Sequence, residues 1–358
     1  MENREMNDMD LLKRLIEMDT SELETANEAV EFLSSYLKDR GIEGKVIEFN
    51  GYKSYVASFG EGDRTIVLNG HLDVVPGDKS QFVPVEKNGR IYGRGSADMK
   101  AGCLAMINAA VELAKEPIGC KLMLQLVTDE ENGGFNGTKN LVDLGYLGDF
   151  VICTEPTNLN IGVQSKGFMR VDIEFEGKAA HGSRPWEGHN AIEKAFGEYE
   201  KILKIPMLNE GSQYYESSTV NLALIEGGDA YNKVPDKSLI GLDIRYVPSI
   251  NPYKLIEELG KAVDGKVEMK LLGHAVNSSP EDSYIRWFVD TINSFGFPEQ
   301  VSLYGQHGSS DGRFFASKGI PVIEYGPKGD NWHGSEEYVE IESIFDLEEI
   351  LKAFIRRF

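Results

Sequence analysis

Cysteine is scarce in this chain of 358 residues: there are three, Cys103, Cys120 and Cys153, all in apolar surroundings and without C-x-x-C spacing. That excludes a disulfide framework and a thiolate metal site, so the three read as reduced core residues. Any metal must be held by histidine and carboxylate. Long apolar runs are missing too, and no segment approaches membrane-spanning length. The opening Met1-Glu2-Asn3-Arg4-Glu5 is too charged for a secretory signal, which makes the cytoplasm the expected location. Positive charge is in deficit. Against 58 Asp and Glu stand 37 Lys and Arg, a net charge of −21, which argues against nucleic acid or an anionic membrane as partner. An acidic small molecule would need a local basic pocket.

What is present begins with Asn69-Gly70-His71-Leu72-Asp73-Val74-Val75-Pro76. Thr65-Ile66-Val67-Leu68 ahead of it has the look of a buried strand, and Pro76-Gly77-Asp78 ends it. A histidine and an aspartate two residues apart share one face of a strand, so Asp73 can brace the His71 imidazole. In metal sites the ligating histidine usually gives its second ring nitrogen to a carboxylate, which fixes the tautomer. The alternative is a core histidine beside a turn carboxylate.

The chain reads as alternating helices and strands around a central sheet, an α/β pattern. Ser21-x-x-Glu24 is a capping box opening a helix that runs to about Arg40 and stops at Gly41. Strands are expected over 45–49, 54–59, 65–69, 121–127 and 150–154, with helices over 100–115 and 137–144. Between residues 163 and 273 the order becomes β-α-β-β-α-β, that of a ferredoxin-like unit. Residues 1–162 and 274–358 then form the larger domain, with 163–273 inserted.

Four further segments carry chemistry. Gly93-Arg94-Gly95-Ser96-Ala97-Asp98-Met99-Lys100 is glycine-rich near a helix start. Asp98 occupies the third glycine position of a dinucleotide fingerprint, and no G-K-[ST] follows, so neither nucleotide motif fits. Asp98 reads as a metal ligand or as an N-cap. Thr128-Asp129-Glu130-Glu131 places three carboxylates at a strand end, which repel unless a cation or a raised pKa intervenes; one glutamate can bind metal while its neighbour is a general base. Glu155, in Thr154-Glu155-Pro156, ends another buried strand. His333 lies in the polar loop Asp330-Asn331-Trp332-His333-Gly334-Ser335-Glu336-Glu337. Together His71, Asp98, Glu131, Glu155 and His333 suffice for two divalent ions if one carboxylate bridges.

These segments, in this order and over essentially the whole length, resemble the M20 metallopeptidase family, and within it the acetylornithine deacetylase and succinyl-diaminopimelate desuccinylase group. The resemblance implies a central-sheet, zinc-peptidase-like catalytic domain interrupted by a lid that dimerises. It implies that His71 and Glu155 hold one metal, Glu131 and His333 the other, with Asp98 bridging. Asp73 would orient His71, Glu130 would be the base, and the Asp98-Met99 peptide would be cis. Zinc is the expected metal, with cobalt or manganese acceptable to the same donors. Within the insertion, His181 resembles the histidine that helps stabilise the oxyanion, in the family arrangement acting across a two-fold homodimer. Asn232 and Arg245 resemble substrate-gripping positions, with pairing to Asp243 or Glu226 as the alternative for Arg245. Gly308-Ser309-Ser310-Asp311-Gly312-Arg313 suits an anion-binding loop at a helix start, giving Gly308 and Ser309 substrate contacts. His189 reads as surface, and His274 and His307 take no role.

The expected activity is hydrolysis of an amide in an N-acyl amino acid by metal-activated water, with a di- or tripeptidase or carboxypeptidase as the runner-up and a silent metal-binding scaffold as the non-enzymatic alternative. A serine or cysteine hydrolase is the mechanistic rival, but no catalytic thiol context is visible and no nucleophile elbow is expected.

Overall fold

The computed structural model describes residues 8–298 and 300–358; the charged opening at residues 1–5 lies outside them. The chain divides into two compact units, one of Met1–Val163, Ser278–Tyr304 and Ser310–Phe358, the other of Gln164–Asn277 and Gly305–Ser309.

In the first unit, helices α1 (Asp8–Glu17) and α2 (Leu23–Lys38) precede strands β1 (Gly44–Phe49), β2 (Tyr52–Phe59) and β3 (Thr65–His71). The expected capping box does not form. The helix starts at Leu23 with Glu22 at its N-cap and no side-chain cap, because the Ser21 hydroxyl instead donates to Asp19 at 2.5 Å. A short pair, β4 (Val85–Lys87) and β5 (Arg90–Tyr92), leads through the Gly93–Lys100 segment to α3 (Ala101–Leu113), then β6 (Lys121–Val127), α4 (Thr138–Asp143), β7 (Phe150–Cys153) and β8 (Ile161–Ser165). The first helix was not anticipated. Its carboxyl end is held by Lys100, whose ammonium donates to Leu15 O and Met18 O, and complete burial lowers that lysine to about 7.

The second unit contains β9 (Gly167–Glu176), α5 (Ala191–Ile202), β10 (Thr219–Gly227), β11 (Lys237–Tyr246), α6 (Pro252–Ala262), β12 (Lys266–Gly273) and β13 (Val276–Asn277). Its four-stranded sheet has the order β10-β11-β9-β12, antiparallel throughout. Alternation along β9 buries Met169, Val171, Ile173 and Phe175 against the apolar faces of the two helices. Asn190 and Asn251 cap those helices with their side-chain oxygens. The unit runs past Gly273 because β13 pairs with Gln164 and Ser165. It also takes in Gly305–Ser309, which sequence order assigns to the larger domain; Gln306 O accepts from Lys166 N and from the Tyr215 hydroxyl.

Returning to the first unit, the chain continues through α7 (Ser283–Ser294), β14 (Leu303–Gln306), α8 (Gly312–Ala316), β15 (Val322–Glu324), β16 (Gly329–Asp330), β17 (Tyr338–Glu340) and α9 (Ile341–Arg357). The unit's main sheet has the order β1-β2-β6-β3-β7-β15-β8. Strands β6, β3, β7 and β15 are parallel neighbours, and Ile66, Val67 and Leu68 are fully buried at its centre, the continuous apolar run expected of a strand covered on both faces. Truncating Leu68 to alanine would cost about 2–5 kcal/mol. Helix α3 packs on β3 and β6 and is itself covered by α9 and α1, which is why it is apolar on nearly every side. Its start needs Gly102, since a Cβ there would lie 2.0 Å from Thr154 O. A second, small sheet, β16-β17-β5-β4, joins two segments distant in sequence. No helix among the described residues is long and apolar enough to cross a membrane.

Candidate metal centre

Parallel strands end on the same side, and three of them end in ligand-type residues. His71 closes β3, with Val127 of β6 opposite it in register; Glu130 and Glu131 follow β6, and Glu155 follows β7. The small sheet supplies the rest. Tyr92 of β5 pairs with Tyr338 of β17, which brings the Asp98 turn beside the His333 loop. The Asp98-Met99 peptide is cis.

Two groups of donor atoms result, His71 with Asp98 and Glu155, and Asp98 with Glu131 and His333, each set lying within 4.8 Å of one another. Asp98 belongs to both through different oxygens. Its Oδ1 is 3.2 Å from His71 Nε2 and its Oδ2 is 3.4 Å from His333 Nε2. Glu155 Oε2 is 3.8 Å from His71 Nε2, and Glu131 Oε1 is 3.1 Å from His333 Nε2. All five residues named from sequence are therefore brought together.

Asp73 braces His71 differently from the expectation. The strand ends at His71, so the shared strand face does not extend to Asp73. It is the Asp73 carbonyl that meets His71 Nδ1, at 2.9 Å, while the carboxylate stands 3.6 Å away. A carbonyl only accepts, so Nδ1 carries hydrogen and Nε2 is the nitrogen offered to Asp98 and Glu155. The Asp73 carboxylate instead accepts the amides of Glu130 and Glu131, at 3.3 and 3.0 Å, tying the histidine strand to the acidic turn.

The charges of the cluster favour a cation. Burial raises Glu155 and Glu130 well above the usual carboxylate range, His71 opposing it in both cases; burial likewise lifts Asp73 to about 7. Burial would also raise Asp98, but hydrogen bonds with His333 and His71 outweigh it and hold this carboxyl well below its usual range. Burial disfavours the His71 cation, yet Asp98, Glu155 and Asp73 together raise it well above an ordinary histidine. Hydrogen bonds to Asp98 and Glu131 lift His333 to about 10. Both imidazoles thus attract positive charge at Nε2, where a divalent cation would replace the proton. Two imidazoles and three carboxylates, one facing both ways, fit a pair of divalent cations.

The chain matches peptidase family M20/M25/M40 over residues 67–357. It belongs to that family. This M20 chain is 30% identical to a succinyl-diaminopimelate desuccinylase of Coxiella burnetii, with 97% of each covered. It is 27% identical to a probable succinyl-diaminopimelate desuccinylase of Staphylococcus aureus, over 93% of this chain and 94% of the relative. Its fold is similar to that of aminopeptidase PepT from Bacillus cereus, with a TM-score of 0.81 at 23% identity over 98% of each chain. The M20 chain is accordingly a metal-dependent hydrolase.

The remaining sequence-based sites fare unevenly. His181 and Asn232 are neighbours in the second unit, where Gly182 N donates to Asn232 O. Ser183 N donates to His181 Nδ1 at 3.2 Å, which places the hydrogen of a neutral ring on Nε2. Arg245 takes its alternative: Nε and Nη2 both donate to Asp243, at 2.7 and 3.3 Å, so the edge that would fork a substrate carboxylate is engaged. Gly308 and Ser309 fall in the second unit. The helix after them, α8, has only five residues, and its second and third amides, of Arg313 and Phe314, donate to Ser310 O and Asp311 O, which weakens the anion-loop reading. Gly308-Ser309-Ser310-Asp311-Gly312 does spell G-x-S-x-G, against the expectation of no such elbow. Ser310, however, is buried and donates to Glu324 at 2.6 Å, and among the described residues no histidine partners it. His189 and His307 are exposed.

Two supporting residues carry no signal of their role in the sequence, although Arg313 lies in the 308–313 loop and Glu337 in the 330–337 loop. Arg313 is buried, donates to Gly133 O at 2.6 Å and stands 3.8 Å from Glu130 Oε1, fixing the acidic turn. Glu337 is buried beside Asp98. Nothing in their local spacing distinguishes either from an ordinary surface charge.

Proposed function

We propose that the chain removes an acyl group from an N-acyl amino acid, in the manner of a succinyl-diaminopimelate desuccinylase or acetylornithine deacetylase, using two divalent ions, zinc foremost. The observation that carries this reading is Asp98, whose two oxygens face two separate imidazoles. His71 and Glu155 would hold one ion, Glu131 and His333 the other, and Asp98 both. Bound there, the pair supplies Lewis acidity, lowering the pKa of a water and polarising the substrate carbonyl.

The chain's own residues do the rest. Glu130 stands next to the ligand Glu131, and its raised affinity for protons suits a base that takes a proton from the attacking water and returns it to the departing amine. Asp73 and Arg313 hold its turn in place. His181, exposed and with hydrogen on Nε2, donates to the substrate's carbonyl oxygen as negative charge develops there. It does so from a second copy of the chain, in a two-fold homodimer formed through the second unit. Support comes from β10, an edge strand of the unit that exposes Leu224 and Ile225, a liability unless covered. Asn232, Gly308 and Ser309 contact the amino-acid moiety, and Arg245 joins them by exchanging Asp243 for a substrate carboxylate. Desuccinylation is favoured over the other acyl groups by the near full-length likeness to chains bearing that name.

The test is a panel of N-succinyl-diaminopimelate, N-acetylornithine, other N-acyl amino acids and di- and tripeptides, presented to zinc- or cobalt-loaded protein. Preference for an N-acyl amino acid is expected; preference for peptides would replace the reading with the peptidase one, and metal uptake without hydrolysis of anything would point to a silent scaffold.

A further inference from the structure

A buried ion pair underlies the ligand cluster, and the chemistry just described makes no use of it. Arg94 and Glu337 are 3% and 1% exposed, and Arg94 Nη1 lies 2.7 Å from Glu337 Oε2. Desolvation commonly cancels the attraction within such a pair, so stability alone is a poor reason to keep one. What the pair holds is more telling. Glu337 Oε1 accepts the amides of Ala97 and Asp98, both at 3.1 Å, and Arg94 Nη2 donates to His333 O at 3.1 Å. His333 needs holding, for its φ of 60° is one a non-glycine residue rarely adopts. Gln81 adds a contact on the next residue, donating to Gly334 O at 2.8 Å. One ion pair thus grips the backbone of both residues that bring Oδ2 and Nε2 together across 3.4 Å. Neither member bonds to His71 or Glu155, which are fixed by the Asp73 carbonyl and by the end of β7.

We propose that Arg94 and Glu337 are positioning residues that lock the His333 loop to the Asp98 turn and so set the affinity of the Asp98, Glu131 and His333 group for its cation. The inference rests on the two-ion reading. Loss of an outer partner of a metal ligand typically weakens metal binding about 10–100-fold, and here the loss should fall on the His333 group far more than on the His71 group.

The experiment is zinc titration of demetallated full-length protein against a chromogenic chelator, resolving two affinities, with thermal unfolding measured in parallel. Arg94→Lys and Glu337→Gln should each weaken one ion by tenfold or more while the other keeps its wild-type affinity. Arg90→Gln serves as control, because Arg90 of β5 pairs with Glu340 of β17, the strands that Arg94 follows and Glu337 precedes, but away from the ligands, and it should titrate as wild type does. If a single variant fails to fold, the double change Arg94→Met with Glu337→Leu removes both buried charges and should still show the selective loss. Two ions bound by wild type and unchanged affinities in the variants would overturn the positioning role. So would equal weakening of both ions in step with a lowered melting temperature. Fewer than two ions in wild type would instead overturn the two-ion reading beneath it.

Discussion

His71 and Glu155 stand at the ends of β3 and β7, adjacent parallel strands of the main sheet, with side chains 2% and 11% exposed. His333 stands in a hairpin loop of the small sheet, 52% exposed and in a left-handed backbone conformation. Asp98 serves both. The first group is built on rigid elements whose positions follow from the packing of the core, and the second is assembled by loops that polar contacts must hold in register. One half of the site is thus held by strand packing and the other by polar contacts between loops, so the two should part company when perturbed.

The most severe perturbation removes what the halves share. Chelation should abolish turnover, and zinc or cobalt should restore it; Asp98→Asn should lose both ions by metal analysis. Activity surviving thorough demetallation would end the comparison. Next in size, Glu130→Gln should cut kcat by about 10²–10⁴-fold while both ions stay bound, since it removes proton transfer without removing a ligand. An unaltered rate would transfer the role of base to another group. His181→Ala should lower turnover by about 10²–10³-fold at unchanged metal content, the scale of one lost oxyanion donor. Mixed with excess Glu130→Ala chains, it should recover activity above either parent as hybrid dimers form; no recovery despite proven subunit exchange would rule out donation across the dimer.

A smaller effect separates the halves directly. Under graded chelation the His333 ion should leave before the His71 ion, and His333→Ala should abolish the weaker step alone. Simultaneous release would show that exposure and loop placement do not matter.

The smallest effect is in protons. His333, raised to about 10 in the demetallated chain, is protonated at pH 7 and must lose that proton to bind a cation, so affinity should rise with pH and zinc uptake should release protons, measurable by calorimetry in buffers of different ionisation enthalpy. The sign for stability follows too. A histidine raised on folding contributes fully below about 6.5 and loses that contribution as pH climbs through about 10. The melting temperature of demetallated protein should therefore fall over that interval, and the fall should be smaller in His333→Ala, with His71, also raised well above an ordinary histidine, supplying the remainder.

Much of this was legible before any coordinates. β-branched and apolar runs ending in His71, Val127 and Cys153 announce buried strands, and parallel strands present their ends together, so three of the ligand-bearing segments can be placed from local pattern. The ferredoxin-like order of the second unit reads equally well, because alternation along β9 and the Asn190 and Asn251 caps are local signals. Ser21 reads as a cap until Asp19 competes for its hydroxyl, and of the two readings open to Arg245 the structure shows the pairing with Asp243, two residues away on the same strand.

Residue chemistry and the periodicity of burial are properties of short segments, so the residues able to bind metal and the strands that carry them are legible locally. The folded chain was needed to show that Asp98 faces two imidazoles at once, that the Asp73 carbonyl rather than its carboxylate meets His71, and that Arg94 and Glu337 grip the Asp98 turn and the His333 loop together. The cause is separation along the chain: Glu337 meets Asp98 across 239 positions, and no local spacing encodes a hydrogen bond that exists only once β5 and β17 have paired.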